Sequence, residues 1–486
     1  MAMYLGIDLG TSSVKTVLMD EQQNIIASCT ANMTQSRPAD GWSEQDPASW
    51  INGMEITLAQ LHSDHPKQMS AVRGIGLSGH MHGATLLDKC DQVLRPCILW
   101  NDTRSHAEAA QLDTPDSRKR CGNILFAGFT APKLAWVARH EPQLFKQVNK
   151  VLLPKDYARL WLTGEHVSEM SDAAGTGWLD VGKRSWSDEL LQATNLSKEN
   201  MPSLVEGTAV SGTLRKTLAT RFGMSHTVVV AGGAGDNAAS ACGMGTVSPG
   251  NAFLSLGTSG VLFAANDSYK PNAESAVHAF CHALPETWHQ MGVILAATDS
   301  LNWLSGVLGQ SPEQLTAALA TSDVVPSEII FLPYLGGERT PHNDAAARGV
   351  FLGLSHNTDT CALTHAVLQG VAFAFRDCQQ ALSTAGTSLD SAYAIGGGSQ
   401  SLYWLQLIAS ALNLPLHTTQ DGDFGAGLGA ARLGMIAADS ANPTQVCFKP
   451  PIKRTIEPQT SLHDDFSQQF ERYQQGYKAI KSLYSM

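Results

Sequence analysis

The tetrapeptide Leu-Gly-Thr-Ser occurs twice, at 9–12 and at 256–259, and both copies sit in the same setting. Tyr4-Leu5-Gly6-Ile7-Asp8 and Val14-Lys15-Thr16-Val17-Leu18 flank the first; Ala252-Phe253-Leu254-Ser255 and Val261-Leu262-Phe263-Ala264 flank the second. All four flanks are strand-forming. A Gly-Thr-Ser turn joining two strands exposes backbone N–H groups and small hydroxyls, the parts needed to hold a phosphate chain. One copy reads as an ordinary hairpin. Two copies at corresponding places predict two similar domains closing on one nucleotide. The copies differ where Asp8 aligns with Ser255. A Mg-ATP site needs an acidic group once, to orient the metal or its water shell, and Asp8 is the candidate. Lys15 reads as an exposed strand lysine.

The 486 residues allow about two to four domains. With 43% hydrophobic and 16% charged residues, the chain can bury large cores. A formal charge of −11 without any Lys/Arg block argues against nucleic acid or an acidic membrane surface as partner. Nine scattered cysteines without a CxxC pattern fit a reducing cytoplasm better than a disulfide framework. No basic, apolar leader and no membrane-length apolar run is seen, so neither signal peptide nor membrane span is expected.

Residues 1–30 read as a meander of strands. A helix is expected over 48–61, started by Asp46-Pro47. Two helical pieces are expected over 133–160, and small-residue helices over 237–243 and 425–438. A long helix is expected over 362–385. The turn Val247-Ser248-Pro249-Gly250-Asn251 is the best boundary, giving domains 1–246 and 247–486. Strands followed by alternating strands and helices in both halves imply α/β domains with mixed sheets. Ligands in such sheets lie at the carboxyl ends of strands.

Asp236 follows Gly232-Gly233-Ala234-Gly235, between a strand and a helix. A carboxylate there could take a proton from a hydroxyl nucleophile, or simply cap the helix; the surrounding small residues favour function. His80 and His82, read as a strand, would face one way and suggest a metal pair, but no neighbouring ligand completes a zinc set. Gly177 to Arg184 matches a phosphate-loop pattern only in part, with a bulky interior. Gly425-Ala426-Gly427-Leu428-Gly429-Ala430 fits a dinucleotide fingerprint, yet close helix packing explains it as well. Trp100 and Trp136 could stack on a sugar; Trp136, on a helix, reads as core.

Together these stretches resemble the FGGY family of carbohydrate kinases over nearly the whole chain. Gly128-Phe129-Thr130-Ala131-Pro132-Lys133-Leu134-Ala135-Trp136-Val137-Ala138-Arg139-His140 fits one family signature, and Gly349-Val350-Phe351-Leu352-Gly353-Leu354 leading to Ala366-Val367-Leu368-Gln369 fits the other. Ala362 departs from the polar residue usual there. Trp42-Ser43-Glu44-Gln45-Asp46-Pro47, Gly79-His80-Met81-His82-Gly83 and Gly337-Glu338-Arg339-Thr340-Pro341-His342 resemble members acting on D-xylulose, although His80 replaces the usual Gln.

The resemblance implies two ribonuclease-H-like domains, as in actin and sugar kinases, with a cleft between them. It implies MgATP-dependent phosphorylation of D-xylulose at its 5-hydroxyl, and a homodimer. Asp236 would be the general base and Asp8 would organise Mg2+. Met81, His82, Trp100 and Asn237 would meet the sugar. Thr11, Ser12 and Thr258 would bind phosphates, and Gly397 and Gly398 would line the adenosine pocket. Two alternatives stay open: a sister kinase acting on another ketose or polyol, and an actin-like or chaperone-like ATPase. For the latter, no added β-rich domain and no assembly signal is found.

Overall fold

The computed structural model describes residues 1–320, 322–420 and 425–485. Its frame is two mixed sheets of matching topology. Across the first, the strands run Val210–Thr213, Val229–Ala231, Val72–Gly79, Met3–Leu9, Ser13–Asp20, Ile25–Asn32. Across the second they run Ile452–Ile456, Leu416–Thr419, Ser391–Ile395, Asn251–Leu256, Gly260–Asn266, Trp288–Ile294, with His278–Cys281 added at the edge. In each sheet an antiparallel hairpin lies beside a parallel strand: Met3–Leu9 runs parallel to Val72–Gly79, and Asn251–Leu256 parallel to Ser391–Ile395. The duplicated hairpin is thus the seed of a duplicated sheet.

The hairpins do not close identically. In the first, Leu9 pairs with Val14; in the second, Leu256 pairs with Gly260, one residue earlier. Gly260 occupies the place of Ser13, and a Cβ there would lie 2.5 Å from Phe375 and 2.7 Å from Ile294. Glycine lets the second turn tighten against these side chains.

Met3, Tyr4, Leu5, Ile7 and Leu9 are all buried, so this central strand is covered on both faces. On one face Leu5 and Ile7 join Trp50, Met54 and Leu58 of helix Pro47–Asp64. Asp46 caps that helix, accepting from the Ala48 N–H at 2.9 Å, and Pro47 supplies its first turn, as the sequence signal predicts. Each fully buried Leu, Ile or Met in this layer contributes roughly 1.5–3 kcal/mol.

The opposite face is covered from the far end of the chain. Helix Ala426–Asp439 lies on the first sheet, where Leu428 and Ala431 pack with Tyr4 and Met19. The approach is backbone to backbone: a Cβ on Gly6 would sit 1.9 Å from the Gly427 carbonyl oxygen, and one on Gly76 1.8 Å from that of Ala430. On its other side this helix meets helix Asp236–Met244, where a Cβ on Gly429 would sit 1.8 Å from the Ala239 oxygen. Close packing therefore accounts for Gly427 and Gly429. Arg432, almost fully buried, fastens the crossing by donating to the Cys242, Gly243 and Phe448 carbonyls and to Gln23.

The long helix expected at 362–385 is found at Thr360–Thr384, inside the second core with helix Leu402–Leu412. The stretch 133–160 forms helices Thr130–His140 and Pro154–Thr163, with the strand Lys150–Leu152 between them. A second bridge joins the lobes at the strand His278–Cys281: the Asn123 amide donates to the Ala279 carbonyl at 3.0 Å and accepts from its N–H at 3.1 Å.

Candidate active site

The carboxyl end of the first sheet carries the acidic groups. Asp8 ends the Met3–Leu9 strand, facing Ser78 on one neighbouring strand and Lys15 on the other. Lys15 is half-buried and directly opposite Asp8, so it belongs to the site rather than to a bare strand surface. Ala234 and Gly235 extend the same sheet beside Ser78 and Gly79, which brings Asp236 to the wall next to Asp8. Gly233 makes this possible. Its φ is +74° and a Cβ would lie 2.2 Å from the Leu77 carbonyl oxygen, which no other residue type accommodates.

Asp236 opens helix Asp236–Met244 and is half-buried. Its Oδ1 accepts from the Asn237 N–H at 2.7 Å and from the Asn237 amide at 3.0 Å. Burial, and then the negative charge of Asp8, push its carboxyl up to about 6. Asp8 is raised as well, by burial, partly offset by the Ser78 hydroxyl and Lys15 ammonium. A buried carboxyl raised in this way beside a second acid suits a proton acceptor working near neutral pH next to an ion-binding carboxylate.

The segment bearing Asp236 is braced from behind. Arg159, fully buried, donates to the Ala231 and Gly232 carbonyls. The Gly235 N–H donates to the Ser171 hydroxyl at 3.0 Å, and Glu169 in turn accepts from that hydroxyl. Lys155 joins Asp156, Glu169 and Asp172 in the same buried network. Leu153-Pro154-Lys155-Asp156-Tyr157 and Ser171-Asp172-Ala173-Ala174-Gly175-Thr176 add to the family resemblance in the sequence, but sequence reasoning gives their side chains no role and misses Arg159 and Glu169.

Met81 and His82 follow the Val72–Gly79 strand. Met81 is buried against Gly235 and Gly175, where a Cβ would lie 2.9 Å from its Cγ and 2.7 Å from its Cε, respectively. His82 has φ of +70°, a conformation costing a non-glycine residue roughly 1 kcal/mol. Its Nδ1 lies 2.6 Å from the Gly175 carbonyl oxygen, and since that oxygen only accepts, Nδ1 carries the proton and Nε2 is left as an acceptor. Burial, reinforced by the Lys133 charge, pushes the imidazolium down to about 3, so the ring is neutral. The strand ends at Gly79, so His80 and His82 do not alternate as strand residues. His80 instead turns its buried ring edge-on to Trp50 at 5.7 Å. The His80 departure from the family pattern therefore sits in the core.

Trp100 is 47% exposed, and its indole N–H donates to the Thr11 hydroxyl at 3.1 Å. This bond ties the first Gly-Thr-Ser turn to the wall bearing Met81 and His82. Ser12 in the same turn is exposed, and its carbonyl accepts from the Met33 N–H. Trp136 is buried and stacks on His140, as expected of a core residue.

In the second lobe, Thr258 is exposed on its turn, while its carbonyl and that of Gly257 accept from N–H groups at the start of helix Thr298–Leu308. Gly396, with φ of +88°, packs directly on this turn. Gly397 and Gly398 follow, and both line a cavity of about 770 Å³ together with Thr298, Asn302, Gln400 and Tyr403. That volume suits a nucleoside. Sequence reasoning missed Thr298, Asn302, Gln400 and Tyr403. Only their shared setting around Gly397 and Gly398 unites them. A Cβ on Gly397 meets nothing within 4 Å. Gly397→Ala is expected to fold normally yet raise the KM for ATP severalfold, leaving the sugar KM unchanged; initial-rate kinetics check both.

A raised carboxyl, two hydroxyl-bearing turns and a nucleoside-sized cavity are the equipment that phosphotransfer to an alcohol requires. The chain belongs to the FGGY family of carbohydrate kinases, whose N-terminal domain matches residues 3–243 and C-terminal domain residues 252–438. It is 47% identical to the xylulose kinase of Escherichia coli (strain K12), over 99% of this chain and 98% of that one. The crystal structure of a "xyloylose kinase" from Brucella ovis shares 58% identity and a TM-score of 0.98, covering 99% and 100%. A gluconate kinase from Lactobacillus acidophilus shares 25% identity and a TM-score of 0.92, covering 100% and 99%.

Proposed function

We propose that the enzyme transfers the γ-phosphate of MgATP to the 5-hydroxyl of D-xylulose, in the cytoplasm. The observation that carries the reaction type is Asp236, a carboxyl raised to about 6 beside a second carboxylate on the wall that also bears Met81 and His82. The substrate reading draws on the likeness to xylulose kinases over nearly the full chain.

Asp236 holds the sugar hydroxyl and takes its proton late, since phosphoryl transfer has a loose transition state and depends mainly on positioning and charge neutralisation. Asn237 fixes the carboxylate. His82 Nε2 accepts from a sugar hydroxyl, and Met81 and Trp100 cover the carbon chain. Thr11, Ser12 and Thr258 bind the phosphates, and adenosine lies along Gly397 and Gly398. The donor set at Asp8 fits a divalent cation: a half-buried carboxylate with a second acid nearby supplies the hard oxygens and negative charge that Mg2+ takes. Bound there, Mg2+ would neutralise charge on the phosphate chain.

Incubation with MgATP and a panel of D-xylulose, D-ribulose, gluconate and glycerol tests the reading. ADP release dependent on D-xylulose, with D-xylulose 5-phosphate as product, is the expected result. Preference for gluconate or a polyol would reassign the substrate. ATP turnover indifferent to every sugar would reject the kinase reading.

A further inference from the structure

The turn that carries His82 leans on an uncommon support. Helix Thr130–His140 runs behind it, and Lys133 on that helix is fully buried. Among the described residues Lys133 forms no ion pair with a carboxylate, yet its ammonium donates to the His82 carbonyl oxygen at 2.8 Å. The fully buried Thr130 hydroxyl donates to the same oxygen at 3.2 Å. Burying a cation without a partnering carboxylate is costly, and such lysines are rare in cores. Packing alone would be served by methionine or leucine. The acceptor, meanwhile, belongs to the one residue of this turn held at positive φ, and that backbone conformation sets where its ring points.

We propose that Lys133 is a positioning residue for sugar binding: its ammonium, with the Thr130 hydroxyl, pins the His82 carbonyl and thereby aims the imidazole at the substrate. This rests on His82 being a sugar contact, as the proposed function has it. The residue is then fixed at three points: its backbone carbonyl by Lys133 and Thr130, its ring Nδ1 by the Gly175 carbonyl, and the ring itself by contact with Phe129 at 4.7 Å between centroids.

The charge on Lys133 also makes the support sensitive to pH. Burial lowers the ammonium to about 7. The groups facing it are Cys97 on the strand Cys97–Ile98, Asp102 and Arg104 in the turn that follows, and His80 and His82. Cys97 is pushed up to about 11 and both histidines down to about 3, so these three stay neutral between pH 6.5 and pH 8.5. Asp102 and Arg104 are bonded to each other at 2.7 Å. As pH rises through about 7, Lys133 passes from a charged donor to a weaker neutral one, and sugar affinity falls.

Calorimetric titration with D-xylulose, without nucleotide, tests the assignment in wild type, Lys133→Met, His82→Ala and the double variant. Lys133→Met keeps the length of the side chain and removes the cation. It is expected to weaken sugar binding about tenfold or more, the usual size of a hydrogen bond from a charged group. ATP affinity should stay at the wild-type value, and the decline in sugar affinity above pH 7 should vanish. In the His82→Ala background, Lys133→Met should change sugar affinity by less than about twofold, because the lysine acts through His82.

Wild-type affinity in Lys133→Met overturns the proposal, as do losses that multiply in the double variant. Should Lys133→Met fail to fold, Thr130→Val keeps the ammonium and removes the other donor. A loss of about threefold is then expected, and unchanged affinity overturns the proposal. Unchanged affinity in His82→Ala alone removes the sugar contact and this proposal with it. A weakened His82→Ala beside an intact Lys133→Met removes only the proposal.

Discussion

Replacing Asp236 with asparagine is expected to lower kcat by roughly two orders of magnitude or more while sugar binding persists. The amide keeps the shape of the carboxyl but accepts no proton. The wild-type profile should carry the same signature. An acid must be ionised to work as a base, so kcat/KM should fall about tenfold per pH unit below about 6, where Asp236 takes up its proton. Asp8 contributes to that position through its negative charge. Asp8→Asn should therefore move the acid limb to lower pH, though not to that of an ordinary aspartate, because burial persists. The same variant should also raise the Mg2+ concentration needed for half-maximal rate. Near-normal turnover in Asp236→Asn would remove the residue from its role. An acid limb unmoved in Asp8→Asn would show that the two carboxylates do not interact.

The second large effect concerns stability. Gly76→Ala adds a single methyl group, but that carbon would lie 1.8 Å from the Ala430 carbonyl oxygen, far inside contact distance. No flexible side chain is there to give way. The helix Ala426–Asp439 must lift from the sheet as a body, which strains its contacts with helix Asp236–Met244 as well. A loss of roughly 3 kcal/mol is expected, at the upper end of overpacking effects. Denaturant unfolding reads it as a lowered midpoint. Gly397→Ala, whose added carbon meets nothing, is the matched control and should leave the midpoint in place. Equal midpoints for the two variants would mean that the helix does not pack so closely.

The parts of this architecture legible in the sequence were the local ones. The two Gly-Thr-Ser turns, the capped start at Asp46-Pro47 and the long helix near 360–384 each depend on residues adjacent in the chain. What escaped depends on distant partners. The small residues at 425–434 signal close approach, but periodicity shows only that a face is small, not which sheet will cover it. Beyond the expected Gly397 and Gly398, the nucleoside-sized cavity draws on 298–302 and 312–320, neither of which is distinctive by itself. His80 and His82 defeat an alternation reading because the strand ends at Gly79 and His82 takes a positive φ. Lys133 lay in plain view within a family signature, yet its task shows only when its ammonium is found on the His82 carbonyl.

The helix Ala426–Asp439 has a bearing on how the protein is made. A ribosome delivers the strands of the first sheet early and their lid almost last. Throughout most of translation the nascent amino-terminal half carries a glycine-floored trough with nothing to fill it. That half cannot mature on the usual vectorial schedule, in which early domains finish before later ones emerge. A gene cut near residue 247, the boundary expected from the sequence, is expected to yield two polypeptides, neither of them self-sufficient until they meet.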